Sequence, residues 1–348
     1  QIIFTFIFVY YYDLGVYGIV LANFISYGIN IIILFKFSKH KITDELNFSF
    51  FKKWLKLSWI PLYPWLAIIF SALEISIFTL MTGSVMGLAI WTASIAISSI
   101  VIHVSTISKA VYPKLLGDKN VHYLRENISL LFFFNFLVVG IIIALAKPAL
   151  YALNPIYVNA FLVVIILAIS HFFLVLSTVS TQSLAGSENI DLNGKTTLKN
   201  YLRSKLFYPH TIRFVESLFF IPILIVGLYF LINSEHSDID LLVFWSLIIL
   251  IIHIPVSIYL TFKMTKALCF KLDYKRILKY FIIGLFSFTT IFIISENYLV
   301  FEKNLFTFLP NLLLLFTLGI LFYLSLCYVF DKKIRLLVTS ILKEIKSK

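Results

Sequence analysis

Residues 128–147 read ISLLFFFNFLVVGIIIALAK, an apolar run broken only by Ser129 and Asn135, with Arg125 and Glu126 before it and Lys147 closing it. At about 1.5 Å of rise per residue a helix of this length is roughly 30 Å long, the thickness of a bilayer's hydrocarbon core. Comparable stretches recur at 14–36, 58–81, 86–108, 157–180, 214–232, 240–262, 280–300 and 304–330. Backbone N–H and C=O groups in lipid must find partners within their own segment, so these stretches are expected as helices; they are too long for barrel strands. The fold class is therefore all-α integral membrane, a multi-span helical bundle.

Composition agrees. The chain has 348 residues, 60% of them hydrophobic and 17% aromatic, and its mean hydropathy is +0.97. Only 13% are charged, about half the fraction usual in a soluble domain. The net charge of +12 calls for no nucleic-acid partner, because basic residues collect in the cytoplasmic loops of membrane proteins. Cys269 falls in a loop and Cys327 within a span, which leaves no disulfide framework and no Cys/His metal spacing. The chain opens on Gln1-Ile2-Ile3 with no basic n-region, so no signal peptide is read. Residues 2–12 are apolar but too short to cross, and are expected to be the end of a helix that begins in a longer protein.

Charge sets the orientation. If the 38–57 connection is cytosolic, every second connection is too. All of the 29 basic residues except Lys147 and Lys303 then fall on the cytosolic side, as the positive-inside rule requires. The C-terminus is expected in the cytosol and the protein in the cytoplasmic membrane. Outer connections are short, with the longest at 148–156 and 233–240. In the tail, Ile334, Leu337, Val338, Ile341, Leu342 and Ile345 share one helical face opposite lysines. That pattern suits a helix on the inner leaflet or one packed on its own cytosolic loops. Within 187–213 a short surface helix or a solvated basic loop is expected, with Pro209 ending any helix there.

The spans group as a stub and one, a basic linker, six, then two. The six open with Leu57-Ser58-Trp59-Ile60-Pro61-Leu62-Tyr63-Pro64, which resembles the Pro-x-x-Pro entry to the seventh helix of polysaccharide flippases in the MATE-like multidrug/oligosaccharidyl-lipid/polysaccharide superfamily. Gly83 and Gly87 at a hairpin, Val111-Tyr112-Pro113-Lys114-Leu115 at a helix exit, and Tyr17-Gly18-Ile19-Val20-Leu21-Ala22-Asn23 agree with it. The loop ending Lys205-Leu206-Phe207-Tyr208-Pro209 is similar to archaeal members. The resemblance implies fourteen helices in two six-helix lobes plus two, most of the N-terminal lobe being absent here. Residues 1–37 would end that lobe, 38–57 form the cytosolic linker, and 58–262 the C-terminal lobe. Residues 263–330 would add a loop and two spans, and 331–348 the amphipathic tail. Many relatives carry Asp-Arg late in the seventh helix where this chain has Glu74-Ile75.

An ionisable side chain within lipid costs several kcal/mol, which makes each one a functional candidate. Four stand out: Glu74, His103, His171 and His253. Glu74 is expected roughly 10 Å below the outer surface and the histidines in the inner half. Glu74 is either a proton or cation site facing a central cavity, or a neutral group bonded to a neighbouring hydroxyl or carbonyl. Each histidine is either a cavity ligand or a packed imidazole, and His253 is placed to cap carbonyls freed by Pro255. Tyr63, Trp65 and Trp91 lie where aromatic faces could stack on sugar, or where they could anchor helices at the interface. Lys109 and Lys114 at the inner mouth could attract phosphate or be ordinary positive-inside residues.

No P-loop, HExxH or GxSxG motif is present, and neither an enzyme nor a cofactor is expected. The resemblance implies a flippase that carries isoprenoid-phosphate-linked oligosaccharide between leaflets by alternating access, with H+ or Na+ as a coupling ion. The alternatives are a cation-coupled small-molecule exporter of the same superfamily and a membrane glycosyl- or acyltransferase.

Overall fold

The computed structural model describes residues 2–38, 48–49, 52, 55, 59–110, 121–187, 204, 207–302 and 304–346. It is all-α: among the described residues no strand occurs, and eight helices are long and apolar enough to cross a membrane. This is a multi-pass membrane protein. A further helix, Trp59–Thr82, has 24 residues and occupies the place of the ninth span read from the sequence. The chain divides into two units, Gln1–Ile60 and Pro61–Lys348.

The first unit contains helix α1, Gly15–Ser38, whose apolar side chains are almost all exposed. Asp13 and Gly15 turn the chain through positive φ, which folds the short helical run Ile2–Tyr11 back along α1. Gly18 permits the approach, since a Cβ there would lie 2.9 Å from the Phe8 carbonyl oxygen.

The second unit opens in α2, Trp59–Thr82, and turns at Gly83 (φ 64°). Helix α3, Val85–Ser98, then passes directly into a 3-10 helix, Ser99–Ala110. At the junction the Ser98 and Ser99 hydroxyls bond back to the carbonyls of Ile95 and Ala96, which competes with regular α geometry. Helix α4, Val121–Ala144, leads into the short α5, Ala146–Leu153, and a 3-10 turn, Pro155–Ala160. Helices α6, Phe161–Gly186, α7, Phe207–Asn233, and α8, Asp238–Ala267, complete a group of six long helices. Helices α9, Tyr274–Tyr298, and α10, Leu305–Phe330, follow, and α11, Lys332–Lys346, ends the described chain.

Two large apolar cores meet on α4, and a smaller third packs Leu124, Ile128 and Phe132 of α4 against Leu184, Met264 and Phe270. One joins α3, α6, α7 and α8 around Trp91, Leu167, Leu224 and Trp245. The other packs α9 and α10 on the far face of α4, where ring contacts run from Tyr280 to Phe133, on to Tyr323 and then to Phe288. Close approach there needs Gly140, where a Cβ would sit 2.0 Å from the Phe288 ring.

Polar contacts sort the connections onto two ends. Ser84 donates to Asp238, and Lys147 pairs with Glu296 at 2.9 Å, joining the turns read as outer. Arg125 meets Asp273 at 3.7 Å and Arg276 meets Glu126 at 3.1 Å, joining those read as inner.

One expectation needs correction. Pro209 does not end a helix; it lies buried in the first turn of α7, which begins at Phe207. Proline is tolerated there because first-turn N–H groups have no intrahelical acceptor to lose. The tail is a helix, and at its start Ile334 is 1% exposed and, with Val338, joins the α9–α10 core. The side chains of Ile341, Leu342 and Ile345 and most of 187–213 lie outside the described residues.

Candidate functional site

A cavity of about 520 Å³ opens among α2, α3, α6, α7 and α8, within the apolar part of the second unit. Its charged wall comes from α7, where His210, Arg213 and Glu216 recur every three residues and so share a face. Arg213 and Glu216 are i, i+3 neighbours, and Arg213 Nη1 donates to Glu216 Oε2 at 3.1 Å. The Arg213 Nη2 group donates to the Ser177 hydroxyl of α6. From α8, His253 Nε2 reaches Glu216 Oε1 at 3.2 Å, while its Nδ1 lies 2.7 Å from the Ser170 hydroxyl of α6. Ser170 and Ser177 are two turns apart on α6, so they bracket the ionised groups from one helix face.

The chain Ser170–His253–Glu216–Arg213–Ser177 links three helices. Both Glu216 oxygens receive a donor and both imidazole nitrogens have a partner. Neutral His253 donates through Nε2 to Glu216 and accepts the Ser170 proton at Nδ1. Imidazolium donates through both nitrogens, and only the Ser170 hydroxyl has to rotate. With His253 neutral, Arg213 and Glu216 cancel, which is how a bundle interior can hold such groups.

Glu74 of α2 lines the other side of the cavity. Its Oε2 accepts the Trp245 indole N–H at 3.2 Å, and no ion pair to it is present among the described residues. Trp245 stacks on Trp91 with ring centres 3.8 Å apart and on Phe78 at 5.0 Å. The carboxylate is thus held by a wall of aromatic rings.

Of the residues singled out in the sequence, Glu74, His171, His253 and Trp91 meet at this cavity. His171 is buried and bonded to the Ser98 backbone, with no partner at Nδ1 among the described residues. His253 caps no carbonyl freed by Pro255; Glu216 and Ser170 engage it instead. Trp91 is 1% exposed and so is a core residue, which overturns the interface-anchor reading. His103 is exposed on the 3-10 segment, and Trp65 is 59% exposed on α2; neither lines the cavity. The Tyr63 and Lys109 side chains and all of Lys114 lie outside the described residues.

Sequence reading missed Arg213, Glu216, His210 and Trp245. Glu74 is not the sole acid among the apolar helices, and Arg213 is no loop residue: it lies in the second turn of α7. The available signal was the three-residue spacing His210, Arg213, Glu216 leading without a break into an apolar helix. Searches of family models, of curated proteins and of solved structures find no match to this chain.

Proposed function

We propose that this chain acts in a transporter that carries isoprenoid-phosphate-linked oligosaccharide from the inner to the outer leaflet by alternating access. A glycan head group and its phosphate cannot enter hydrocarbon without polar partners. The observation that carries the reading is the cavity itself: Arg213 and three histidines line a space among helices that are otherwise apolar. A guanidinium matches phosphate geometry, and intramembrane charges facing a cavity mark substrate or ion pathways. The lipid tail would stay in the bilayer while the head occupies the polar space.

One observation favours a second reading, a cation-coupled exporter. Two carboxylates, Glu74 and Glu216, line the same cavity, and Glu74 has a neutral partner.

The test is flipping of a fluorescent isoprenoid-linked oligosaccharide in proteoliposomes, read by an impermeant quencher, with this chain and with an N-terminally extended one. The expected result is flipping that Arg213→Gln abolishes and Glu74→Gln impairs, both variants remaining folded. Absence of flipping across several glycan lipids, together with proton-driven movement of small organic cations, would replace the first reading with the second.

A further inference from the structure

Arg213 already has a counter-ion, and an anion entering the cavity must contend with it. Glu216 is 9% exposed, and it is shared between Arg213 Nη1 at 3.1 Å and His253 Nε2 at 3.2 Å, one on each oxygen. With a neutral imidazole the triad carries no net charge. Adding a singly charged phosphate diester would leave one uncompensated negative charge among apolar helices, a costly state. Protonating His253 removes that cost. The imidazolium takes over as counter-ion of Glu216, and Ser170 can accept its second N–H without any heavy atom moving. Arg213 is then released to the phosphate, and the total charge is again zero.

We propose that the Arg213–Glu216–His253 triad is a proton-linked anion site, in which protonation of His253 exchanges the counter-ion of Glu216 and frees Arg213 to bind a phosphate group. The proposal rests on the transporter reading for its ligand, and adds how that ligand is coupled to protons. Other groups face the same space: His171 from α6, His210 from α7 and Glu74 from α2, while α3 presents Trp91 and Ile95 and no titratable side chain. None of these three shares an ion pair with Glu216 among the described residues. Only His253 can replace Arg213 on it directly.

The probe is an isoprenyl phosphodiester of glucose, whose single charge does not titrate near neutrality, with inorganic phosphate as the free-anion arm. Binding to the purified full chain is measured by calorimetry from pH 6 to 8 in buffers of different ionisation heat, which counts protons. One proton is expected per diester bound, so affinity falls by up to about tenfold per pH unit as pH rises. Glu216→Gln needs no replacement counter-ion, and should bind as tightly at high pH as at low pH with no proton uptake. His253→Gln should bind weakly at every pH, and Arg213→Gln should not bind. His171→Gln, His210→Gln and Glu74→Gln should keep the one-proton linkage. Each variant is compared only after its melting transition matches that of the parent.

Binding without proton uptake by the parent chain would overturn the proposal, as would a pH dependence that survives in Glu216→Gln. Proton-linked binding of inorganic phosphate as tight as that of the diester would keep the exchange and overturn a lipid-borne ligand. Proton-linked diester binding without flipping in vesicles would sustain the site and remove the flippase reading alone.

Discussion

Arg276 in the first turn of α9 and Arg213 in the second turn of α7 each hold a carboxylate, yet their surroundings differ. Arg276 is wrapped at the end of the helices. It donates to Asp331 at 3.0 Å, to Glu126 at 3.1 Å and to the Tyr280 hydroxyl at 2.7 Å. Lys333 closes on Glu126, and the second Asp331 oxygen caps α11 through the N–H groups of Lys333 and Ile334. The network ties together four helices, α4, α9, α10 and α11. Arg213 instead borders a cavity, and its carboxylate is shared with a group that can change charge. The same ion-pair chemistry acts as a fastener where it is enclosed, and becomes exchangeable where it faces open space.

The largest effect should come from breaking the fastener. Arg276→Ala strands Asp331, which is 4% exposed, and uncompensated buried charge of this kind costs about 3–5 kcal/mol. Thermal unfolding in detergent should show it as a marked drop in Tm. Removing both charges at the cavity, with Arg213→Met and Glu216→Leu together, leaves nothing uncompensated. Stability should then change by about 1 kcal/mol or less, or rise, while phosphodiester binding disappears. Equal destabilisation by both changes would erase the distinction between the two clusters.

A smaller effect separates the packing around them. A Cβ at Gly140 would meet Phe288 at 2.0 Å and its Cγ at 2.7 Å, close to the root of a ring held on α9. At Gly227 the nearest atom, 1.9 Å away, is Phe244 Cζ, the free end of a half-buried ring on α8. Gly140→Ala should therefore cost about 1–3 kcal/mol, and Gly227→Ala clearly less. The order of the two melting temperatures checks it, and a reversed order would place the rigid packing on the cavity side.

Hydropathy made most of the architecture legible because spanning helices must be long and apolar. It hid the site for the same reason. A span boundary drawn at residue 214 leaves Arg213 outside and Glu216 at the very edge, although mutual neutralisation lets α7 carry both inward. Trp245 was invisible for another reason. Its role depends on stacking against Trp91 and donating to Glu74 on a helix 171 residues away in sequence, and no local pattern encodes that. The pairing of α9 and α10 with α4 was equally hidden, since lipid-facing and helix-facing leucines read alike. Asn135, wholly buried in α4 and bonded to the Phe172 carbonyl, was with buried Ser129 a polar hint that α4 is interior.

The smallest effect concerns acid and the tail. Burial alone would raise the Asp331 carboxyl, but the Arg276 charge, the capping N–H groups of Lys333 and Ile334 and the Tyr280 hydroxyl together hold it below its ordinary value of 3.8. A carboxyl lowered on folding contributes stability that is fully present above its unfolded pKa and is lost as pH falls through its folded one. Docking of α11 should therefore be constant at every pH above about 4, and should loosen only in stronger acid. Hydrogen exchange of the α11 amides, corrected for intrinsic rate, should show a step there in the parent chain. Asn caps a helix nearly as well as Asp but carries no charge, so Asp331→Asn should lower protection at neutral pH and remove the step. A step of undiminished size in that variant would move the titrating group to Glu126, the other carboxylate facing Arg276. The fastener would then hold α11 through Lys333 rather than through its cap.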